Sequence, residues 1–71
     1  MDRFEQYEIW GLVPGDSSRW QFVAAFHEFD VASAVAARRG RGVRLVHAIY
    51  EGGKLAEQHV LVELGSTREK P

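Results

Sequence analysis

Three histidines are the residues of this chain best suited to bind a metal ion or to transfer protons: His27, His47 and His59. All three fall on segments predicted to be strands, and their spacing matches no motif for the three or four converging ligands of a zinc site. A two-residue turn would place His47 and His59 on opposite faces, whereas an odd turn would let them face each other near Glu57. We expect ordinary half-buried or interface histidines and no metal, with a pH-dependent interface as the alternative.

Four arginines lie within seven residues where a predicted helix meets a strand. Such a cluster can contact phosphate groups, and aromatic side chains nearby can stack on bases. However, nine basic and ten acidic residues give a formal charge of −1 and a pI of about 6.3, whereas nucleic-acid-binding domains are normally basic. Cations in the last turn of a helix are also stabilised by its dipole. Nucleic-acid or phosphate contact is therefore an alternative function, with the candidates Arg38, Arg39, Arg41 and Arg44.

The remaining polar residues do not point to catalysis. The segment Asp16, Ser17 and Ser18 has the composition of a turn, which explains its serines without a nucleophile. Glu57 and Glu63 lie about 20 Å apart along one predicted strand, too far for a glycosidase pair. The glycines match neither common nucleotide-binding motif, and the absence of cysteine excludes disulfides. We therefore expect no enzyme and no cofactor.

The heaviest aromatic group of the chain consists of Trp10, Trp20, Phe22 and Phe26. These rings could line a ligand pocket. Because aromatic side chains dominate burial in small domains, we expect them to anchor a core or an interface.

Alternation of apolar residues predicts two β-hairpins. The first joins strands at residues 3–13 and 19–28 through the turn-rich segment 14–18. The second joins strands at 43–51 and 54–64 through Gly52 and Gly53, since glycine accepts the positive φ of a two-residue turn.

A change of period between the hairpins predicts one helix over residues 31–39. Asp30 is a suitable N-cap, and Gly40 is placed to end the helix. An apolar stripe of Val31, Ala34 and Val35 should face the sheet. The expected fold is therefore α+β, in the order ββαββ, with a four-stranded antiparallel sheet and one short helix on one face.

Length and composition favour a single domain over residues 1–71, with an ordered core at about 4–64 and a polar tail at 65–71. No apolar run reaches the roughly 18 residues that a membrane helix needs. The N-terminal residues are charged and lack the apolar core of a signal peptide. We therefore expect a cytoplasmic protein without membrane contact.

Large apolar residues fall on both faces of the predicted sheet, whichever register the hairpins adopt. A nine-residue helix is only about 14 Å long and can cover one face. We therefore expect a homodimer that buries the other face and acts as a non-enzymatic accessory or regulatory module, binding another protein through its apolar face or sheet edge. Small-ligand binding or catalysis at the dimer seam is a further alternative. The interface candidates are Tyr7, Ile9, Val46, Tyr50, His59 and Leu61.

Overall fold

The chain folds into one four-stranded antiparallel sheet with a single helix packed against it, as the sequence predicted. The computed structural model describes residues 2–64, apart from the side chain of Ser17. The predicted tail at 65–71 lies outside this range. The elements, in chain order, are β1 (Arg3–Val13), β2 (Asp16–Phe26), α1 (Phe29–Arg39), β3 (Val43–Glu51) and β4 (Lys54–Leu64). The sheet has the order β2-β1-β3-β4, so β1 and β3 form its centre.

The core lies between α1 and one face of the sheet, which we call the helix face. Ile9 of β1 pairs with Leu45 of β3, and both are buried beneath α1. Ala32 and Ala36 are the buried residues of the helix. Because an alanine side chain is one methyl group, the helix backbone approaches the sheet closely. The predicted stripe is therefore rotated: Val31 and Ala34 are exposed, and only Val35 packs partly against the core.

The helix begins at Phe29, two residues before the predicted start. Glu28 occupies the N-cap position without a side-chain hydrogen bond, and Asp30 lies in the first turn instead of capping it. A carboxylate there still interacts favourably with the helix dipole. The ring of Phe29 packs edge-on against Tyr7 of β1, with 5.6 Å between centroids. This contact with the sheet explains why the helix extends beyond the pattern of its alanines.

The first hairpin has a tighter turn than its composition suggested. Val13 pairs with Asp16, so the turn is Pro14 and Gly15 alone, and Gly15 has a φ of 81°. Asp16 accepts hydrogen bonds from the backbone N–H and the hydroxyl of Ser18, which lowers the pKa of its carboxyl group. The predicted turn residues therefore begin β2, which ends at Phe26 and leaves His27 exposed beyond the strand.

The second hairpin has the predicted two-residue turn, but two irregularities change its register. Tyr50 pairs with Leu55 as expected, whereas Ile49 pairs with Glu57 and His47 with His59. A second irregularity lets Val46 pair with Val60 and Leu45 with Val62. Each β-bulge adds one residue to β4 and shifts the pairing that follows it. His47 therefore faces His59, which the two-residue turn alone would have prevented.

Candidate functional site on the open face of the sheet

The face of the sheet opposite α1, here called the open face, is predominantly aromatic and aliphatic. Alternation along β1 and β3 directs every second side chain away from the helix. Val46 and Ala48 lie buried at its centre, and the large apolar side chains around them are partly exposed, Phe22 by 52% and Val60 by 48%. The side chains on this face include Phe4, Trp10, Trp20, Phe22, Val46, Ala48, Tyr50, Leu55 and Val60. The expectation of two apolar faces is therefore confirmed.

A buried carboxylate lies in the middle of this apolar surface. Glu8 of β1 is only 2% exposed. Its carboxylate accepts hydrogen bonds from Tyr50 Oη at 2.6 Å, Gln6 Nε2 at 2.8 Å and Trp10 Nε1 at 3.0 Å. The bond to Glu8 is the main cause that raises the pKa of Tyr50 above 10.0. Three donors compensate the carboxylate for its lost hydration, so the open face carries no unsatisfied charge at this point.

The aromatic side chains around Glu8 form two further contacts. Phe4 stacks on Tyr50 with 5.0 Å between ring centroids, and Trp10 meets Phe22 edge-on at 5.6 Å. Because Trp10 and Tyr50 also donate to Glu8, both rings are held in place by a hydrogen bond and a ring contact. The surface is thus pre-organised, which lowers the entropy lost when a partner binds.

Among residues 2–64, Arg44 is the cation of the open face, and it is paired within the chain. Its guanidinium lies 4.0 Å from the centroid of the Trp20 ring and is bonded to the carboxylate of Glu63 at 3.0–3.1 Å. Trp10, Trp20, Arg44, Val46 and Gln58 surround a shallow cavity of about 170 Å³.

The structure divides the predicted arginine cluster. Arg38 and Arg39 end α1 and Arg41 follows it, all exposed on the helix side of the chain. Arg44 lies on the opposite face, against Trp20. The four side chains therefore do not form one basic surface, although they lie close together in the sequence.

The six predicted interface residues are also distributed over both faces. Ile9 is fully buried beneath α1, and Tyr7 packs beside it on the helix face, partly buried. Val46 and Tyr50 lie on the open face. The two bulges place His59 on the helix face and Leu61, which is exposed, at the second bulge of β4. A face assignment that ignores bulges could not separate these residues.

The two strand histidines form a polar cluster on the helix face. The ring centroids of His47 and His59 are 6.4 Å apart. The Nε2 atom of His47 lies 2.9 Å from Glu5 Oε1, and that of His59 lies 3.2 Å from Glu57 Oε1. The bond to His47, followed by the bond to Arg3, lowers the pKa of Glu5. Within residues 2–64, no group of three or more such side chains is arranged to hold a metal ion.

Several residues of the open face were not singled out from the sequence, among them Glu8 and Gln6. Both share the alternation of Phe4 and Trp10 on β1. A glutamate in step with large aromatic residues on a central strand is a signal for a buried, hydrogen-bonded carboxylate.

Between residues 2 and 64, no helix is long and apolar enough to cross a membrane. No protein-family model, curated protein or solved structure matches this chain.

Proposed function

We propose that this chain is a small, non-enzymatic interaction module whose open face packs against the open face of a second copy. The observation that carries the proposal is the composition of that face: apolar side chains extend over all four strands, and its central carboxylate is satisfied internally. Apolar surfaces of this kind are typical of protein interfaces. Such a pairing covers each sheet by a helix on one side and by the partner's sheet on the other.

The size of the open face fits a stable dimer. Eleven-residue strands are about 36 Å long, and four strands span about 19 Å, so one face measures about 700 Å². Two copies would together bury about 1,400 Å², within the range of about 1,200–2,000 Å² for specific interfaces. The charges also suit a self-complementary contact, because Arg44 is paired with Glu63 and Glu8 with three neutral donors.

A nucleic-acid-binding function receives less support from the geometry. Arg44 is separated from the arginines at the end of α1 by the thickness of the sheet. Within residues 2–64, the open face therefore offers one cation, Arg44, which already contacts Glu63 and Trp20.

Two valines of β4 provide a matched test of the proposal. Val60 lies on the open face and is 48% exposed, whereas Val62 lies on the helix face and is 39% exposed. Sedimentation equilibrium should show that Val60→Glu weakens self-association strongly, because it would bury a carboxylate in the interface without a partner. Val62→Glu should leave this contact intact.

Phe22→Glu, on the opposite edge of the same face, should behave like Val60→Glu. Circular dichroism checks that each variant keeps its fold. If Val60→Glu and Phe22→Glu sediment like the unsubstituted chain, the open face is not the interface.

A further inference from the structure

The outer edge of β4 is a second surface suited to assembly. In the part of the chain that the structure describes, β4 pairs only with β3, and its residues 54–63 are all exposed. A free edge presents a row of unpaired backbone N–H and C=O groups. The helix contacts β1, β2 and β3, so it does not obstruct a strand arriving beside β4.

We propose that this edge pairs antiparallel with β4 of a second copy, about a two-fold axis that is perpendicular to the sheet and passes at Gln58. The edge and the open face are different surfaces, so this contact goes beyond the proposed function. A two-fold axis perpendicular to the sheet keeps the helices of both copies on the same side. Both open faces then lie on the other side and remain available.

The pairing of a carboxylate with an imidazole favours this register over the neighbouring one. Side chains that oppose each other across the new strand pair must lie on the same face of the sheet. With the two bulges of β4, this condition allows the two-fold axis to pass at Gln58 or at His59. With the axis at Gln58, Glu57 lies opposite the partner's His59, and symmetry repeats this pair. With the axis at His59, two histidines oppose each other and Leu55 faces the partner's Glu63. In the first register a ring N–H of His59 can donate to the opposed carboxylate of Glu57, whereas the second register places the carboxylate of Glu63 opposite an aliphatic side chain, so the first register is selected.

The exposed pair on β4 strengthens the case for a second copy as the occupant. Glu57 and His59 are 60% and 58% exposed and already form a contact of 3.2 Å within the chain. Across the axis, Glu57 would gain a second imidazole and His59 a second carboxylate, both from the partner. The four side chains would then alternate around the axis. An unrelated strand would have to supply the same alternation by itself.

Together with the open-face contact, edge pairing would produce a dimer of dimers. The two axes are perpendicular to each other, one lying between packed sheets and one crossing the sheet. Four copies of the 8.0 kDa chain would have a mass of about 32 kDa.

A charge swap between two variants tests the edge contact. Phe22→Glu is first introduced to remove the open-face contact, because Phe22 lies on β2, at the edge of the sheet opposite β4, so that only edge pairing is measured. In this background, His59→Glu should weaken association about tenfold or more, since it opposes two pairs of carboxylates, and Glu57→Lys should weaken it as well, since both imidazoles lose their acceptor. An equimolar mixture of the two variants should recover association, because the introduced lysine then opposes the introduced glutamate and one cross-strand pair of Glu57 and His59 is restored. The pair within each chain stays disrupted, so recovery can come only from the partner.

Analytical ultracentrifugation at pH 7 should detect the edge-paired dimer as a species of about 16 kDa, two copies of the 8.0 kDa chain. Hydrogen exchange of residues 54–64 should also slow as the concentration of the Phe22→Glu chain rises. A Phe22→Glu chain that stays at 8.0 kDa with concentration-independent exchange, or a mixture that behaves like its separate components, would overturn the edge contact. Failure of the open-face proposal has a different signature, because Phe22→Glu would then have the mass of the unsubstituted chain.

Discussion

The carboxylate of Glu8 should make a large contribution to stability through Tyr50, and Tyr50→Phe measures it. This substitution removes only the hydroxyl group, which donates to Glu8 Oε2 at 2.6 Å. The ring can remain stacked on Phe4. A hydrogen bond to a charged group contributes about 1.5–3 kcal/mol net. Because Glu8 is almost fully buried, water cannot readily replace the lost donor, and the free energy of unfolding should fall by this amount.

Glu8→Gln tests the same hydrogen bond from the acceptor side. The amide has nearly the size of the carboxylate, but it offers one oxygen to the three donors Gln6, Trp10 and Tyr50. At least one donor then meets an N–H group, at a cost of about 1–3 kcal/mol for the unsatisfied group. Since the hydroxyl of Tyr50 then donates at best to a neutral oxygen instead of a charged one, Tyr50→Phe costs less in this background, and the double variant should lose about 1 kcal/mol less than the sum of the single variants.

Urea denaturation followed by tryptophan fluorescence measures these free energies at one fixed protein concentration, because self-association adds to apparent stability. Tyr7→Phe is the matched control, since no hydrogen bond joins the Tyr7 hydroxyl to another residue within 2–64. We expect this control to change stability by less than about 0.5 kcal/mol. Equal effects of Tyr50→Phe and Tyr7→Phe, or strict additivity with Glu8→Gln, would refute the network.

Two further predictions concern alkaline pH and the helix contact. Because the pKa of Tyr50 is raised in the folded chain above 10.0, its contribution is complete below pH 10 and is lost as the pH rises through the folded value; the urea midpoint should therefore fall above pH 10, and less so in Tyr50→Phe. Ala36→Leu should lower the free energy of unfolding by about 1–3 kcal/mol, because Ala36 is buried against the sheet. Ala37→Leu, at an exposed position of the same helix, should be nearly neutral in the same denaturation assay.

The element order was predictable because each element has a local signal. Gly52 and Gly53 both have positive φ, at 60° and 81°, as a two-residue hairpin turn requires. Because this turn is so short, the two strands that it joins, at 43–51 and 54–64, must be antiparallel. The strand order β2-β1-β3-β4 has no such signal, because β1 pairs with β3 over a long separation in the sequence, as between Arg3 and Glu51.

The assignment of residues to faces was less predictable, because β-bulges leave no clear mark in this sequence. Within residues 2–64, pairing shifts register at four places: between Ile9 and Trp10 and between Leu12 and Val13 in β1, and between Leu45 and Val46 and between Ile49 and Tyr50 in β3. One added residue reverses the face of all that follow it. From the two-residue turn alone, His59 would pair with Val46. Because of the bulge, His59 pairs with His47 instead.

The coverage of the sheet is the property on which both assembly proposals depend, and it follows from element lengths. Eleven helical residues extend about 16 Å, whereas an eleven-residue strand extends about 36 Å. The helix contacts three strands on one face, so the opposite face and the whole of β4 must be stabilised by other means. Ring contacts and the Glu8 network order the open face within the chain. On β4, Leu55, Val60, Leu61 and Val62 are all exposed, and packing within residues 2–64 does not cover them. The strand with the least internal support is therefore the one where a second copy gains the most.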